Sequence, residues 1–225
     1  MIPVSEIYGP VVQGEGAVAG RRTMFLRTGG CDYRCAWCDT RYAVDIEHKG
    51  EWRRLTSVEI LDELYAKAGG CRSLSISGGN PVLHDLTDVV RELGAWHINV
   101  ETQGTFYRDW LKYADVVTVS PKPPSAGEWF QARKYDAFMK RLLGDDGTNR
   151  IVRGWGNPEV VVKVVVDPDD ARDWDFAGRI SETWRGDMYL SCLTKPHDTG
   201  DELLERYRRL ETLAMQGQGV EGIRD

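Results

Sequence analysis

The chain has 225 residues, of which 41% are hydrophobic and 28% charged, and its formal net charge at pH 7 is −6. This length is enough for one large core, so we expect a single domain over residues 1–225. The negative charge argues against non-specific binding of nucleic acid or of an anionic membrane. The N-terminus lacks a basic region followed by an apolar run, and the run at 160–166 is too short to cross a bilayer. We therefore expect a cytoplasmic protein.

Short β-branched runs alternate with helical patterns along the chain. The runs predict strands at 23–28, 73–77, 97–102, 115–120, 160–166 and 188–192. Helical periodicity predicts helices at 57–68, with Thr56 or Ser57 as its cap, and at 86–93 and about 201–215. This alternation is typical of a mostly parallel α/β sheet, either open or curled toward a barrel.

The segment at about 125–158 interrupts the alternation. It contains one helical stretch at about 128–143, followed by a region rich in glycine and asparagine. We interpret it as an insertion that packs beside the core. The runs at 115–120 and 160–166 are apolar at successive positions, which predicts strands covered on both faces.

Four predicted strands run into unusual loops. These loops are the cysteine loop after 23–28, Gly78-Gly79-Asn80-Pro81, Gln103-Gly104 and Pro121-Lys122-Pro123-Pro124. Because the carboxyl ends of parallel strands meet at one edge of a sheet, we expect a single site there.

Three of the five cysteines, Cys31, Cys35 and Cys38, form a C-x3-C-x2-C group, whereas Cys71 and Cys192 stand apart and are interpreted as buried apolar residues. Zinc needs a fourth ligand, for which His48 is the nearest histidine, and zinc would not explain the other three loops. A [4Fe-4S] cluster held by three thiolates keeps one iron open for a ligand. The spacing favours the cluster.

With Trp37 just before the last cysteine, this motif resembles the signature of the radical S-adenosylmethionine (SAM) enzymes. The resemblance implies that the open iron binds the amino and carboxylate groups of SAM. Reductive cleavage of SAM would then supply a radical that removes a hydrogen atom from the substrate.

The stretches "SEIYGPVVQGEGAVAGRRTMFLRTGGCDYRCAWCDT", "SISGGNPVL", "VETQGT" and "SPKPP", and more loosely "LSCLTKPH", resemble the 7-carboxy-7-deazaguanine synthase (QueE) family. This resemblance implies a shortened partial (β/α) barrel and a lyase. The family rearranges 6-carboxy-5,6,7,8-tetrahydropterin to 7-carboxy-7-deazaguanine, releases ammonia and regenerates SAM. It also implies Mg²⁺, a homodimer, and an electron donor such as flavodoxin or ferredoxin.

The resemblance also implies roles for individual residues. Cys31, Cys35 and Cys38 would bind the cluster, and Thr40 would bind magnesium through its hydroxyl oxygen. The SAM-binding residues would be Trp37, Gly78, Gly79, Asn80, Glu101, Gln103, Ser120 and Lys122. The substrate-binding residues would be Gln13, Glu15, Gly16, Arg27, Ser77 and His197. Arg27 would pair with the substrate carboxylate, and Gln13 and Glu15 with the amide and guanidine-like edge of the pterin.

Two features depart from the family pattern. The superfamily motif Gly-Gly-Glu-Pro has Asn80 in place of the acid, from which we expect weaker SAM binding and tighter binding in Asn80→Glu. The C-terminus appends a charged helix and a glycine-rich tail, so the role of His197 rests on the loosest part of the resemblance.

Three alternatives remain open at this stage. One is an activating enzyme for a glycyl radical, although that class lacks the "QGEG" segment. Another is a binding module stabilised by zinc, without catalysis. The third is an inactive relative that retains the cluster.

Overall fold

The computed structural model describes residues 1–144, 158–195 and 198–216, and these contain one sheet of eight strands. The strands are β1 (Ile2–Val12), β2 (Arg22–Thr28), β3 (Arg53–Leu55), β4 (Ser73–Gly78), β5 (His97–Thr102), β6 (Val116–Val119), β7 (Glu159–Val166) and β8 (Met188–Cys192). Their order across the sheet is β3-β1-β2-β4-β5-β6-β7-β8, so β3 and β8 are the two edges. Within the described part of the chain the sheet does not close.

From β2 to β8 every neighbouring pair is parallel, whereas β1 is antiparallel to both β2 and β3. The predicted mostly parallel sheet and its six strands are confirmed. Strands β1 and β3 were not predicted. The register of β1 shifts twice against β2, between Val4 and Glu6 and between Tyr8 and Val11, which removes the regular alternation that marks a strand in sequence.

Six helices connect and cover the strands described here. They are α1 (Arg41–Val44), α2 (Ser57–Lys67), α3 (Thr87–Glu92), α4 (Ala132–Leu143), α5 (Ala171–Thr183) and α6 (Gly200–Met215). Helix α2 begins with a capping box in which Thr56 and Glu59 bond each other's backbone amides, which decides between the two predicted caps. Helix α6 has the same motif at Thr199 and Glu202.

Helix α4 lies within the predicted insertion, in the connection between the parallel strands β6 and β7. Parallel neighbours need such a crossover. Its buried side chains Tyr135, Phe138 and Leu142 belong to the main core. Residues 145–157 lie outside the described residues, so the insertion stays a prediction.

The two faces of the sheet differ in polarity. One face carries alternate apolar residues such as Leu74, Ile98 and Val117, which pack into the main core beneath the helices. The opposite face carries Ser75, Asn99 and other polar side chains on the intervening positions. This polar face is the wall on which a site can be built.

The 3₁₀ segment Gly16–Val18 covers part of the polar face on β6 and β7. Val18 packs there against Val116 of β6 and Val161 of β7. The prediction that these two strands are covered on both faces is thereby confirmed.

Candidate active site

A cavity of about 280 Å³ opens at the carboxyl ends of β2, β4, β5 and β6. The predicted loops come together there, as expected for a parallel sheet. Among the described residues, the predicted site residues all line this cavity except Asn80 and Gly16. His197 lies outside the described residues.

The cysteine loop forms one wall of the cavity. Cys35 is buried, Cys31 and Cys38 are half-buried, and all three pack near Tyr33 and Ala126. The Tyr33 amide donates a hydrogen bond to the Cys31 sulfur over 3.4 Å. The loop therefore presents three sulfur atoms to the cavity, and one of its own backbone amides bonds the first of them.

The surroundings of these thiols bear on the zinc alternative. No group of three or more His, Cys, Asp or Glu side chains in the described ranges lies in an arrangement that holds one metal ion. His48, the fourth ligand of the zinc alternative, is half-exposed and bonds Glu51 over 2.9 Å. Burial raises the pKa of the Cys35 thiol to about 11, so metal must displace protons when it binds.

Gly78 and Gly79 lie against the start of the cysteine loop. The Gly79 amide bonds the Thr28 carbonyl over 3.1 Å, and the next amide bonds the Gly30 carbonyl over 2.8 Å. A Cβ atom at Gly79 would collide with the Gly30 carbonyl, and one at Gly78, where φ is +140°, with the Thr28 backbone. Close packing of two loops therefore requires glycine at both positions.

Asn80 lies behind this wall with its side chain fully buried. Its Nδ2 donates to Asp32 Oδ1 over 2.8 Å and to Thr105 Oγ1 over 3.1 Å. Its Oδ1 accepts from Thr102 Oγ1 over 2.8 Å. Protein partners thus occupy the polar atoms that were expected to face SAM.

Gln103 connects the same network to the cavity. Its Nε2 donates to Asp32 Oδ1 over 2.6 Å and approaches the Cys31 sulfur at 3.5 Å. The other oxygen of Asp32 is buried and has no hydrogen-bond partner in the described part of the structure. The network therefore runs from β5 through Asp32 to the first cysteine.

Lys122 and Trp37 lie together on the side of the loop after β6. The Lys122 ammonium is 5.8 Å from the centre of the Trp37 ring and donates to Ser120 Oγ over 3.1 Å. Trp37 Nε1 donates to Ser125 Oγ over 3.0 Å. This places a cation and an aromatic face beside the cysteines.

Thr40 lines the cavity next to the last cysteine, with 3.6 Å between its hydroxyl oxygen and the Cys38 sulfur. Asp39 is the adjacent carboxylate on the same wall. Both residues offer the oxygen atoms that a hard cation prefers.

Arg27 on β2 forms part of the opposite wall. Its Nε bonds Glu6 Oε1 over 2.7 Å and its Nη2 bonds the Tyr8 hydroxyl over 3.2 Å, while Tyr42 donates to the same Glu6 oxygen. Burial opposes the charge, but Tyr42, Tyr8 and Glu6 together raise the pKa of Arg27. The guanidinium is therefore held in a fixed orientation at the cavity.

The sequence did not reveal the partner of Glu15 and Glu101. Lys163 on β7 approaches Glu101 Oε1 at 2.6 Å and Glu15 Oε2 at 3.3 Å. Glu101 was predicted on the SAM side, but this shared cation puts it beside Glu15. A lysine inside the valine-rich run of β7 was the available signal.

Other cavity residues were also missed. Ser75 and Asn99 face the cavity from β4 and β5, and Tyr8 stacks on Phe25 with ring centres 4.9 Å apart. The polar alternation in "SLSIS" was the signal for Ser75, because it puts serine on one face of the strand.

The chain is similar to known proteins in sequence and in fold. The Radical SAM superfamily model matches residues 25–126. The 7-carboxy-7-deazaguanine synthase of Bacillus cereus is 40% identical over 188 residues, covering 81% of this chain and 72% of the relative. That of Bacillus subtilis is also 40% identical, over 209 residues, covering 90% of this chain and 82% of the relative.

The chain belongs to the 7-carboxy-7-deazaguanine synthase family. In fold it resembles the crystal structure of QueE from Escherichia coli, with a TM-score of 0.66 at 20% identity over 99% of this chain and 93% of that one. Membership of the radical SAM superfamily implies a [4Fe-4S] cluster and SAM as cofactors. Among the described residues, none of the helices could cross a bilayer.

Proposed function

We propose that this chain is a lyase that converts 6-carboxy-5,6,7,8-tetrahydropterin to 7-carboxy-7-deazaguanine with release of ammonia. The observation that carries this proposal is the composition of one cavity. Three cysteines line one wall, and a fixed arginine and two carboxylates paired with lysine line the others. We also propose that residues 1–225 form a single radical SAM domain.

Cys31, Cys35 and Cys38 would hold the cluster, which together with SAM supplies the radical chemistry. Trp37, Lys122 and Ser120 would orient SAM, and the Lys122 ammonium, which lies beside Trp37 and Ser120, would bind its carboxylate. Gly78 and Gly79 would keep the wall flat, so that the cofactor lies close to the backbone. Gln103 would hold the first cysteine toward the cavity through its contact with the sulfur.

The substrate would bind on the far side of the cavity. Arg27, already oriented by Glu6, would receive the carboxylate of the pterin. Gln13, Glu15 and Glu101 would accept hydrogen bonds from its amide and guanidine-like edge, with Gly16 allowing that loop to approach. Ser77 has a buried hydroxyl without a described hydrogen-bond partner and would bond the ring.

Magnesium is the second metal of the proposal. Thr40 would bind it through the hydroxyl oxygen, and water and substrate oxygens would fill the remaining positions. His197 is retained as a proposed substrate contact on the strength of the family resemblance alone.

The partners follow from the same chemistry. The cluster must be reduced before it can cleave SAM, so an electron donor such as flavodoxin or ferredoxin is proposed to prime it, in a reducing compartment such as the cytoplasm. The conversion of the pterin to the product and ammonia consumes no net electrons. We carry over the homodimer from the family resemblance.

The test is an anaerobic assay of the iron-reconstituted protein with SAM, magnesium, a reductant and 6-carboxy-5,6,7,8-tetrahydropterin. We expect many turnovers of 7-carboxy-7-deazaguanine, detected by mass, and no product from Cys35→Ala. Omission of magnesium should slow the reaction if the Thr40 site is real. A protein that cleaves SAM to 5'-deoxyadenosine but leaves the pterin unchanged would retain radical chemistry and refute this substrate.

A further inference from the structure

Lys163 is a charged residue inside an apolar strand. Only 3% of its side chain is exposed, and its neighbours Val162 and Val164 on β7 are fully buried. A buried ammonium group is retained only when it is paired, because its desolvation is costly. The two carboxylates within 3.3 Å provide that pairing, yet Lys163 itself does not line the cavity as described.

The lysine side chain crosses one strand to reach Glu101. Glu101 on β5 is in register with Thr118 on β6, which is in register with Val161 on β7. Lys163 follows Val161 by two positions and therefore projects from the same face of the sheet. The ion pair joins β5 to β7 above β6.

The second partner, Glu15, lies outside the sheet. It immediately precedes the 3₁₀ segment Gly16–Val18, and it also accepts a hydrogen bond from Ser191 Oγ on β8 over 3.1 Å. Through Lys163 and Ser191, this otherwise half-exposed N-terminal loop is tied to the polar face of the sheet. The position of the Glu15 side chain therefore depends on a residue of β7.

Charge determines what such a pair can bind. Two carboxylates share one ammonium, and each has a second oxygen with further acceptor capacity. The other charged groups that face Glu101 are Lys122 after β6 and Arg27 on β2, and Arg27 is bonded to Glu6. A ligand edge rich in N–H donors matches this arrangement.

We propose that Lys163 is a positioning residue, which fixes Glu15 and Glu101 as a pair of acceptors for the guanidine-like N–H edge of the pterin. This inference rests on the proposed function. It adds a residue of β7 that touches neither substrate nor cofactor and acts through two that touch the substrate.

Protonation supports the same arrangement. Burial alone would raise the pKa of Glu101, but Lys163 and then Lys122 lower it below its ordinary value. Burial likewise opposes the charge on Lys163, and Glu101 and Glu15 raise its pKa. Without Lys163, Glu101 would be a buried carboxylate that takes up a proton more readily.

The test compares Lys163→Met with Lys163→Arg in the reconstituted, cluster-loaded chain. Dissociation constants for SAM and for 6-carboxypterin, the oxidised analogue of the proposed substrate, are measured by anaerobic calorimetry between about pH 6 and about pH 8. Lys67→Met is the matched control, because Lys67 is also ion-paired, to Glu63 over 2.7 Å, but lies away from the cavity.

We expect Lys163→Met to weaken 6-carboxypterin binding by about ten- to a hundredfold, as for loss of a charged hydrogen-bond arrangement. The loss should grow as the pH falls, because Glu101 takes up a proton more readily without Lys163, and Lys163→Arg should recover part of it. Lys163→Met should bind SAM with unchanged affinity. The control Lys67→Met should bind both SAM and 6-carboxypterin as the wild type does.

Three outcomes distinguish a failure of the role proposed for Lys163 from a failure of the proposed function. Unchanged 6-carboxypterin affinity in Lys163→Met overturns the role of Lys163. Equal losses for SAM and 6-carboxypterin with no change in pH dependence overturn it too, since they indicate general structural support. A wild-type protein that binds SAM but not 6-carboxypterin overturns the proposed function, and the ligand assigned to this pair with it.

Discussion

At the residue scale, the hydrogen-bond partners of Asn80 explain why its side chain is an amide. Asp32 presents a carboxylate oxygen to it, and that oxygen needs an N–H donor, which asparagine has and glutamate lacks. Asn80 also satisfies Thr102 and Thr105 inside the protein. We therefore reassign Asn80 from direct contact with SAM to positioning of the cysteine loop.

The first prediction tests this reassignment. Asn80→Glu should lower the free energy of unfolding of the cluster-loaded protein by about 2 kcal/mol, because two buried acceptors would then face each other. It should weaken SAM binding as well, since the cysteine loop would move. The measurements are denaturant unfolding and calorimetry with SAM.

The double variant Asp32→Asn, Asn80→Glu restores one donor to the pair. It should recover at least half of the free energy of unfolding that Asn80→Glu loses. Measurement of both single variants completes the double-mutant cycle. Tighter SAM binding in Asn80→Glu at unchanged stability would instead support the original expectation from the superfamily motif.

At the scale of elements, a buried arginine helps to attach helix α6 to the core, together with Leu210, which packs into the core, and Arg209, which bonds Asp169. Arg206 is buried and bonds Asp169 over 2.7 Å, Asp167 over 2.9 Å and the Leu193 carbonyl over 3.0 Å. These partners follow β7 and β8. The C-terminal helix thus has a defined place on the core.

The second prediction concerns this attachment. Arg206→Met should lower the free energy of unfolding by about 2 kcal/mol near neutral pH, because it leaves the half-buried Asp167 without its main cation. Arg208→Met on the same helix is the control, since that side chain is exposed and its nearest carboxylate oxygen, on Glu205, is 4.0 Å away. Chemical unfolding of both variants measures the difference.

The effect of Arg206→Met should depend on pH. Burial alone would raise the pKa of Asp167, but bonds from the Asp169 amide and from Arg206 lower it. A lowered carboxyl pKa contributes stability that is present above its unfolded value and is lost as the pH falls through the folded value. The gap between wild type and variant should therefore close below about pH 4, and a constant gap would show that packing alone is responsible.

At the scale of the whole molecule, residues that stabilise the fold and residues that line the cavity lie on opposite faces of the sheet. Its apolar face packs beneath the helices, whereas its polar face lines the cavity. Leu74 and Ser77 illustrate the division on β4, because they are three residues apart and project to opposite faces. Leu74 is fully buried in the core, and Ser77 has a buried hydroxyl with no described partner.

The third prediction uses this pair. Leu74→Ala should cost about 2–5 kcal/mol of unfolding free energy and leave the affinity of the folded protein for 6-carboxypterin unchanged. Ser77→Ala should leave stability equal or slightly higher, because it removes an unsatisfied hydroxyl, and should weaken 6-carboxypterin binding about tenfold. Loss of stability in Ser77→Ala would mean that the hydroxyl already has a partner.

The sequence by itself determined the local features of this protein. The cysteine spacing, the six β-branched runs and the capped helix after Thr56 depend on residues close in the chain, so short-range patterns predicted them. The order and spacing of the loop motifs also indicated the family, because both can be read directly along the chain.

Only the tertiary structure decided the long-range features. The antiparallel strand β1 depends on pairing with both β2 and β3, and its irregular register hides it in sequence. The pairing of Lys163 with Glu15 and Glu101 joins residues far apart in the chain, and so does the contact of Asn80 with Asp32. Charge and hydrogen-bond complementarity of this kind arises only after the sheet has assembled. The amino-acid sequence on either side of each residue does not indicate which distant residue it will contact.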